Sequence, residues 1–482
     1  MKLLRTTALL AAVAVGATVA GAVTAVASPG PDWRPCAGNA DVQCATVTVP
    51  VDWSRPSRGT IEVAIARRTT AHPIGTLLLM PGGPGDSGVN RMLGRTPVPP
   101  ELAARFDVVS FDPRGTNRSS PVVCDAGLVA NPPDANPEGG ATFAELSAYS
   151  RALGDSCREH TGPLVDHVDS VSVARDIDAI RAALGERQLS LYGRSYGTLA
   201  GQVYAERFPS RVRALVLDSV FDHSLAPAEL LTTEAAAGED TFDEFAAWCA
   251  SSTSCVLHGR DVHALYDTLY RRSVAGSLPA PDGSRPVGPM ELVNRTTGFF
   301  YGPEWPAAAE YLRSLADGAP RAAAVSSPAV TPFPAAAFCA DHRMPISSER
   351  EWLALWEKQK RAAPTLRTHF AWLPVSLCAS WPAAVPNPQH RPDIEGTPPI
   401  LVLNSRHDPA TPHTWARNVT RQLDGAVLLT YDGWGHGVID RSACTLTATT
   451  RYLVDLRPPM RGTHCPAVPP EPATQPAPVK AW

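Results

Sequence analysis

The pentapeptide Gly193-Arg194-Ser195-Tyr196-Gly197 constrains this chain more than any other stretch of it. An apolar run, Gln188-Leu189-Ser190-Leu191-Tyr192, leads into it, and a helix-like stretch over 198–208 leaves it. A strand that turns through G-x-S-x-G straight into a helix pushes the serine hydroxyl out above the sheet. The turn is so tight that the serine is held in a strained conformation, and the flanking glycines let strand and helix pass closely. Alone, five residues of this kind can arise by chance. The setting between strand and helix, and two further motifs, give them weight.

The first of these lies upstream. Leu77-Leu78-Leu79-Met80 runs into Pro81-Gly82-Gly83-Pro84-Gly85. An α/β-hydrolase places one of its two oxyanion donors after its third strand, and the other is the N–H that follows the nucleophile. Two N–H groups aimed at the oxygen of a tetrahedral intermediate stabilise its full negative charge, each by roughly 3–4 kcal/mol. Tyr196 is one candidate donor. Gly83 is the other, because Pro84 has no N–H to give.

The second motif is a pair near the C-terminus. Residues 399–404 form an apolar run that reads as a buried parallel strand and ends in Ser405-Arg406-His407-Asp408-Pro409-Ala410-Thr411-Pro412. A further strand over 426–431 ends in Asp432-Gly433-Trp434-Gly435-His436-Gly437. A carboxylate after one strand and a histidine after the next complete the chain order Ser, Asp, His that this fold uses. Ser195 is the expected nucleophile, His436 its general base, and Asp408 the group that holds the other ring nitrogen and stabilises the imidazolium. His407 is a rival base, but it shares the acid's loop. Asp218 and Asp222, after a strand over 212–217, are rival acids.

Lys2 and Arg5, an apolar run over 8–23, and Ala25-Val26-Ala27 have the order of a secretory signal peptide with cleavage after Ala27. No later stretch approaches the ~20 apolar residues of a membrane span, so the expected product is extracellular and free of the membrane after cleavage. Export leads to an oxidising compartment. The ten cysteines are even in number, and sequence alone does not set their connectivity. They fall into neighbouring couples, and sequential pairing is the simplest hypothesis: Cys36 with Cys44, Cys124 with Cys157, Cys249 with Cys255, Cys339 with Cys378, Cys444 with Cys465. No C-x-x-C occurs to support a zinc or thioredoxin-like site. No cofactor or metal is expected. A net charge of −4, from 43 basic and 47 acidic residues, creates no field suited to nucleic acid.

The mature chain is longer than one minimal core of this kind, so an insertion is expected. The division reads as signal peptide 1–27, first part of the hydrolase core 28–222, mainly helical cap 223–392, second part of the core 393–465, and proline-rich tail 466–482. The cap carries Trp248, Trp305, Trp352 and Trp356, which read as core residues.

Taken together, Gly82-Gly83-Pro84-Gly85, Asp112-Pro113-Arg114-Gly115, the serine pentapeptide followed by Thr198, Asp408-Pro409-Ala410-Thr411-Pro412 and Gly435-His436-Gly437 resemble the secreted actinobacterial tripeptidyl aminopeptidases. These are similar to the proline iminopeptidases among the α/β-hydrolases. The resemblance implies a serine exopeptidase that removes short peptides or single residues from a free N-terminus. Two departures weigh against single-proline specificity. Pro81 stands where proline iminopeptidases have histidine, and Asn117 where they usually have glycine. An esterase or amidase acting on a small molecule with the same three residues is the alternative. An aminopeptidase needs a carboxylate to meet the substrate's ammonium group. Glu234, Glu239, Asp240, Glu304 and Asp341 in the cap are the candidates.

Overall fold

A computed structural model describes residues 30–94, 98–281, 283, 285–317 and 330–470. The expected signal peptide, residues 1–27, and residues 471–482 of the expected tail lie outside the described residues.

Twelve strands are present among them: β1 (Arg34–Cys36), β2 (Asn39–Pro50), β3 (Thr60–Arg68), β4 (Thr76–Met80), β5 (Asp107–Phe111), β6 (Val123–Asp125), β7 (Leu189–Arg194), β8 (Val212–Asp218), β9 (Val330–Pro332), β10 (Leu401–His407), β11 (Val427–Trp434) and β12 (Thr463–Cys465). Ten of them form one sheet in the order β1-β2-β3-β5-β4-β7-β8-β10-β11-β12. From β5 to β12 every neighbouring pair is parallel, while β1, β2 and β3 add an antiparallel edge. β6 and β9 make a separate antiparallel pair. This is the α/β-hydrolase fold.

The central strands are mostly apolar because helices cover both faces, and alternation of side chains splits them between two cores. Leu78, Met80, Val109, Leu191, Leu215, Leu217 and Val402 face Val173, Ile177 and Ile180 of the helix Ser170–Ala183 and Leu199 and Val203 of the helix Gly197–Arg207. Their neighbours Leu77, Leu79, Val108, Tyr192, Val216, Leu401 and Leu403 face Val89, Met92, Tyr452 and Leu453 on the other side. Asp169 caps the helix Ser170–Ala183 by accepting from Ser172 N at 2.9 Å.

Between β8 and β10, which are adjacent in the sheet, the chain forms the helices Pro227–Ser251, Val262–Val274, Pro289–Gly298, Trp305–Asp317, Ala336–Asp341, Glu349–Ala362 and Trp372–Cys378. Part of this segment has its own core, with Phe242, Phe245, Tyr266, Phe300, Trp305 and Leu312. Trp352 and Trp356 pack instead into the larger core beside the sheet.

The ten cysteines pair in sequence order, as the simplest hypothesis had it. Other features were not legible from periodicity. β2 has the mixed sequence Asn-Ala-Asp-Val-Gln-Cys-Ala-Thr-Val-Thr-Val-Pro because one side of this strand meets water. β10 continues through Ser405-Arg406-His407, read from the sequence as loop, because β11 pairs with it as far as Trp434.

Candidate active site

Ser195 lies between β7 and the helix Gly197–Arg207 with φ +56°, in the left-handed region that a non-glycine residue rarely adopts. Its N–H donates to Asp218 O at 3.0 Å, and its carbonyl accepts from Thr198 N at 2.9 Å and Thr198 Oγ1 at 2.6 Å. A Cβ on Gly197 would lie 2.3 Å from Met80 O and 2.5 Å from Pro81 O, so only glycine lets β4 and the helix pass here. The strained turn is therefore fixed by hydrogen bonds on both sides and by close backbone packing.

The turn after β4 lies beside it. A methyl group on Gly82 would touch Ser195 Cβ at 3.1 Å. Gly83 has φ +105°, and a side chain there would strike Gly85 N at 2.4 Å. Among the described residues, neither Gly83 N–H nor Tyr196 N–H meets a protein acceptor. The Asp112-Pro113-Arg114-Gly115 segment braces this turn. Buried Asp112 accepts from Ser87 Oγ at 2.6 Å, Val89 N at 3.0 Å and Arg118 N at 3.1 Å. Asn117, at φ +46°, donates Nδ2 to Gly85 O at 2.9 Å. Asparagine tolerates that conformation better than most residues, which accounts for its use in place of glycine. Arg114 forks onto buried Asp176 at 2.5 and 2.6 Å.

Asp408 and His436 come together at the carboxyl ends of β10 and β11. Asp408 Oδ1 is 2.9 Å and Oδ2 3.1 Å from His436 Nδ1. The carboxylate also accepts from Ala410 N and Thr411 N at 2.9 Å each, Ser219 Oγ at 2.7 Å and Thr411 Oγ1 at 3.1 Å. Burial pushes the Asp408 carboxyl up, but the adjoining His436 ring and these donors outweigh it and hold the group below the ordinary carboxylate range. His436 N donates to Tyr301 O at 2.9 Å, and the two rings lie 4.9 Å apart. With Nδ1 engaged by Asp408, the Nε2 atom is the buried nitrogen left without a hydrogen-bond partner. No hydrogen bond joins Ser195 Oγ to it.

The rivals have other partners. Asp218 accepts from Tyr192 OH, Val438 N and Ile439 N, and burial pushes it up. Asp222 serves Ser224 and Asn418. His407 pairs with half-exposed Asp240 at 2.8 Å. Among the candidate carboxylates between β8 and β10, Glu239 accepts from Thr365 N and Leu366 N at 2.8 and 2.9 Å. Glu304 precedes the helix Trp305–Asp317 in a half-buried turn. Asp341 has both oxygens occupied by protein donors.

Glu234 differs from all of these. It is 2 % exposed, its Oε1 is 3.5 Å from His369 Nδ1, and its Oε2 has no partner. Burial pushes its carboxyl up, with His369 and His436 opposing in part, and the charge of Asp408 is also felt there. Ser219, Tyr301 and His369 were not singled out by sequence reasoning, and Thr411 entered it only as part of the Asp408–Pro412 motif. The φ of Ser219 is +56°, like that of Ser195, but no sequence motif marks the position.

The family described as TAP-like protein matches residues 363–465. The chain is 31% identical over 479 residues to serine protease Hip1 of Mycobacterium tuberculosis (strain ATCC 25618 / H37Rv), covering 90% of each chain. It is 31% identical over 485 residues to a tripeptidyl aminopeptidase of Streptomyces lividans, covering 93% of this chain and 89% of that one. It is also 31% identical over 482 residues to carboxylesterase B of Mycobacterium tuberculosis (strain ATCC 25618 / H37Rv), covering 91% of each.

Proposed function

This chain belongs to the α/β-hydrolase family of Hip1 and the tripeptidyl aminopeptidases and is a serine hydrolase, and we propose that it is an exported exopeptidase releasing short peptides, tripeptides foremost, from free N-termini. The single observation that carries this reading is Glu234. An acidic side chain that is buried, unpaired at one oxygen and near the Asp408–His436 pair is costly unless something cationic completes it. A peptide's α-ammonium group supplies that cation. The five disulfides support export to an oxidising compartment.

In the proposed reaction, Ser195 Oγ attacks the scissile carbonyl while His436 Nε2 takes its proton. Asp408 keeps the other proton on Nδ1 and stabilises the imidazolium. The N–H groups of Tyr196 and Gly83 receive the oxyanion. His436 then gives its proton to the leaving amine, and the acyl group stays on Ser195. Water, deprotonated by His436, attacks the ester; the bond to Ser195 Oγ breaks as His436 returns the proton to that oxygen, and the released peptide leaves with its new carboxylate. Nucleophile–base bonds are often loose before substrate arrives, in keeping with the unpartnered Nε2. The helices between β8 and β10 form the cap in this scheme, with Glu234 closing one end of the cleft.

An esterase or amidase on a small molecule is the second reading, favoured by the equal identity to carboxylesterase B. Matched free and N-acetylated tripeptidyl chromogenic substrates separate the two. An aminopeptidase should lose at least about 10²-fold in kcat/KM on acetylation, roughly 2.7 kcal/mol. Equal cleavage of both forms would transfer the assignment to the esterase or endopeptidase class. Ser195→Ala should remove turnover in either case.

A further inference from the structure

Buried Asp341 is used by none of the steps above, yet it touches the residue that follows the nucleophile. Its Oδ2 accepts from Tyr196 OH at 2.7 Å and Ser170 Oγ at 2.6 Å. Its Oδ1 accepts from Ser170 N and Asn387 Nδ2, each at 2.8 Å. Its own carbonyl faces His223 Nε2 at 2.7 Å, so that nitrogen donates. Four donors from three separate parts of the chain thus converge on one carboxylate. None is a full cation. Burial pushes its pKa up to about 7 in spite of the Ser170 and Tyr196 donors, and neighbouring Asp169 adds to the rise.

The placement of Tyr196 is what makes this cluster more than a structural knot. Ser195 holds a strained φ, and strain of that kind persists only where the surroundings over-determine it. Tyr196 is the next residue. Its carbonyl accepts from Leu199 N at 3.0 Å. Its ring packs against Phe221, Phe338 and His342 with centroids 5.5, 6.4 and 6.4 Å away. The hydroxyl at the far end of the ring is the one polar tether of that side chain, and Asp341 holds it. Asp341 in turn ends the helix Ala336–Asp341, which the Cys339–Cys378 disulfide ties to the helix Trp372–Cys378.

We infer that Asp341 is a positioning residue that, through the Tyr196 hydroxyl, fixes the Ser195–Tyr196 peptide and its oxyanion-binding N–H and couples the segment between β8 and β10 to the nucleophile turn. This rests on the assignment of Ser195 and Tyr196 N–H made above. A donor displaced by a fraction of an ångström stabilises a transition state poorly while leaving substrate binding nearly intact. The loss therefore falls on kcat rather than on KM.

The test compares Tyr196→Phe, Asp341→Ala, Asp341→Asn and the double variant Tyr196→Phe/Asp341→Ala. Activity is expressed per active site, counted by complete labelling with a fluorophosphonate. Tyr196→Phe and Asp341→Ala should each lower kcat at least about tenfold with KM within about threefold, and the double variant should be no slower than the slower single one. Asp341→Asn should recover most of the loss. Its amide can face the Tyr196 and Ser170 hydroxyls, which turn to accept, while its oxygen keeps the two N–H donors. A purely structural role would lower the number of labelled sites and the Tm but not kcat per site. Tyr196→Phe removes one atom and decides the matter even where Asp341→Ala fails to fold. Full labelling of Ser195 with wild-type kcat in Tyr196→Phe overturns this inference alone. Failure of Ser195 to label in the wild-type protein overturns the nucleophile assignment and this inference with it.

Discussion

Replacing Asp408 by asparagine tests the proposed acid more sharply than removing it. The side chain keeps its size, and the two backbone donors, Ala410 N and Thr411 N, both bond to Oδ1. Asparagine can leave its oxygen there and turn its amide toward Ser219 Oγ and Thr411 Oγ1, hydroxyls that can accept as well as donate. His436 Nδ1 would still find the oxygen that now sits 2.9 Å away. The fold is preserved, the carboxylate charge is lost, and an amide N–H at the Oδ2 position, 3.1 Å from His436 Nδ1, opposes the tautomer that carries its proton there. Charge centres about 4 Å apart at an effective dielectric of ~20 interact by about 4 kcal/mol, or about a thousandfold in rate. Comparable substitutions in serine-protease triads cost about 10⁴-fold. We expect kcat/KM to fall by at least about 10³-fold, with circular dichroism and labelled-site recovery unchanged. Stability should respond in the acid range. The folded Asp408 carboxyl is held below its ordinary value, so its contribution is complete above the unfolded value of ~3.9 and is lost as pH falls through the folded one. Asp408→Asn should flatten that part of the stability–pH curve. A folded variant losing less than about tenfold in kcat/KM would show that Asp408 is not the charge behind His436, and Asp218→Asn would then have to be tested in its place.

Three other outcomes are expected. Glu234→Gln should cut kcat/KM on free peptides by about 10²-fold while sparing a simple ester; equal losses on both would detach Glu234 from amine recognition. The same variant should gain more stability at pH 8 than at pH 4. Burial raises the Glu234 carboxyl, so the folded state holds its proton above the unfolded pKa of ~4.3 and the wild-type chain loses stability as pH rises. Replacing Cys339 and Cys378 by serine opens a loop of 39 residues' separation, a loss of about 4 kcal/mol on the chain-entropy account. Denaturant titration measures it, and a change below about 1 kcal/mol would mean that the bridge does not restrain the unfolded chain.

Much of the framework is carried by local sequence. The predominantly apolar runs within β4, β7, β8 and β10 announce buried parallel strands, because a sheet covered on both faces has little polar side to show. The turn around Ser195 is equally local: strand, glycines and helix lie within twenty residues of each other, and the strain at Ser195 follows from them. The neighbouring cysteines also pair locally. The strand β2, second from the sheet's edge, alternates exposed and buried residues only over Thr46-Val47-Thr48-Val49, and its first half has no clean alternation to mark it.

The side chains around the candidate site belong to another class. Ser219 bonds to Asp408 across 189 positions, Tyr301 supports His436 across 135, and Tyr196 reaches Asp341 across 145. Glu234, Glu239, Asp240, Glu304 and Asp341 are the same kind of residue on paper. The structure alone separates a carboxylate filled by backbone donors, one exposed beside His407, one tied to Tyr196 and one buried with an oxygen unmet. A side chain's chemistry is written in the sequence. Its pKa and its partners depend on what long-range packing brings against it and on how much water that packing removes.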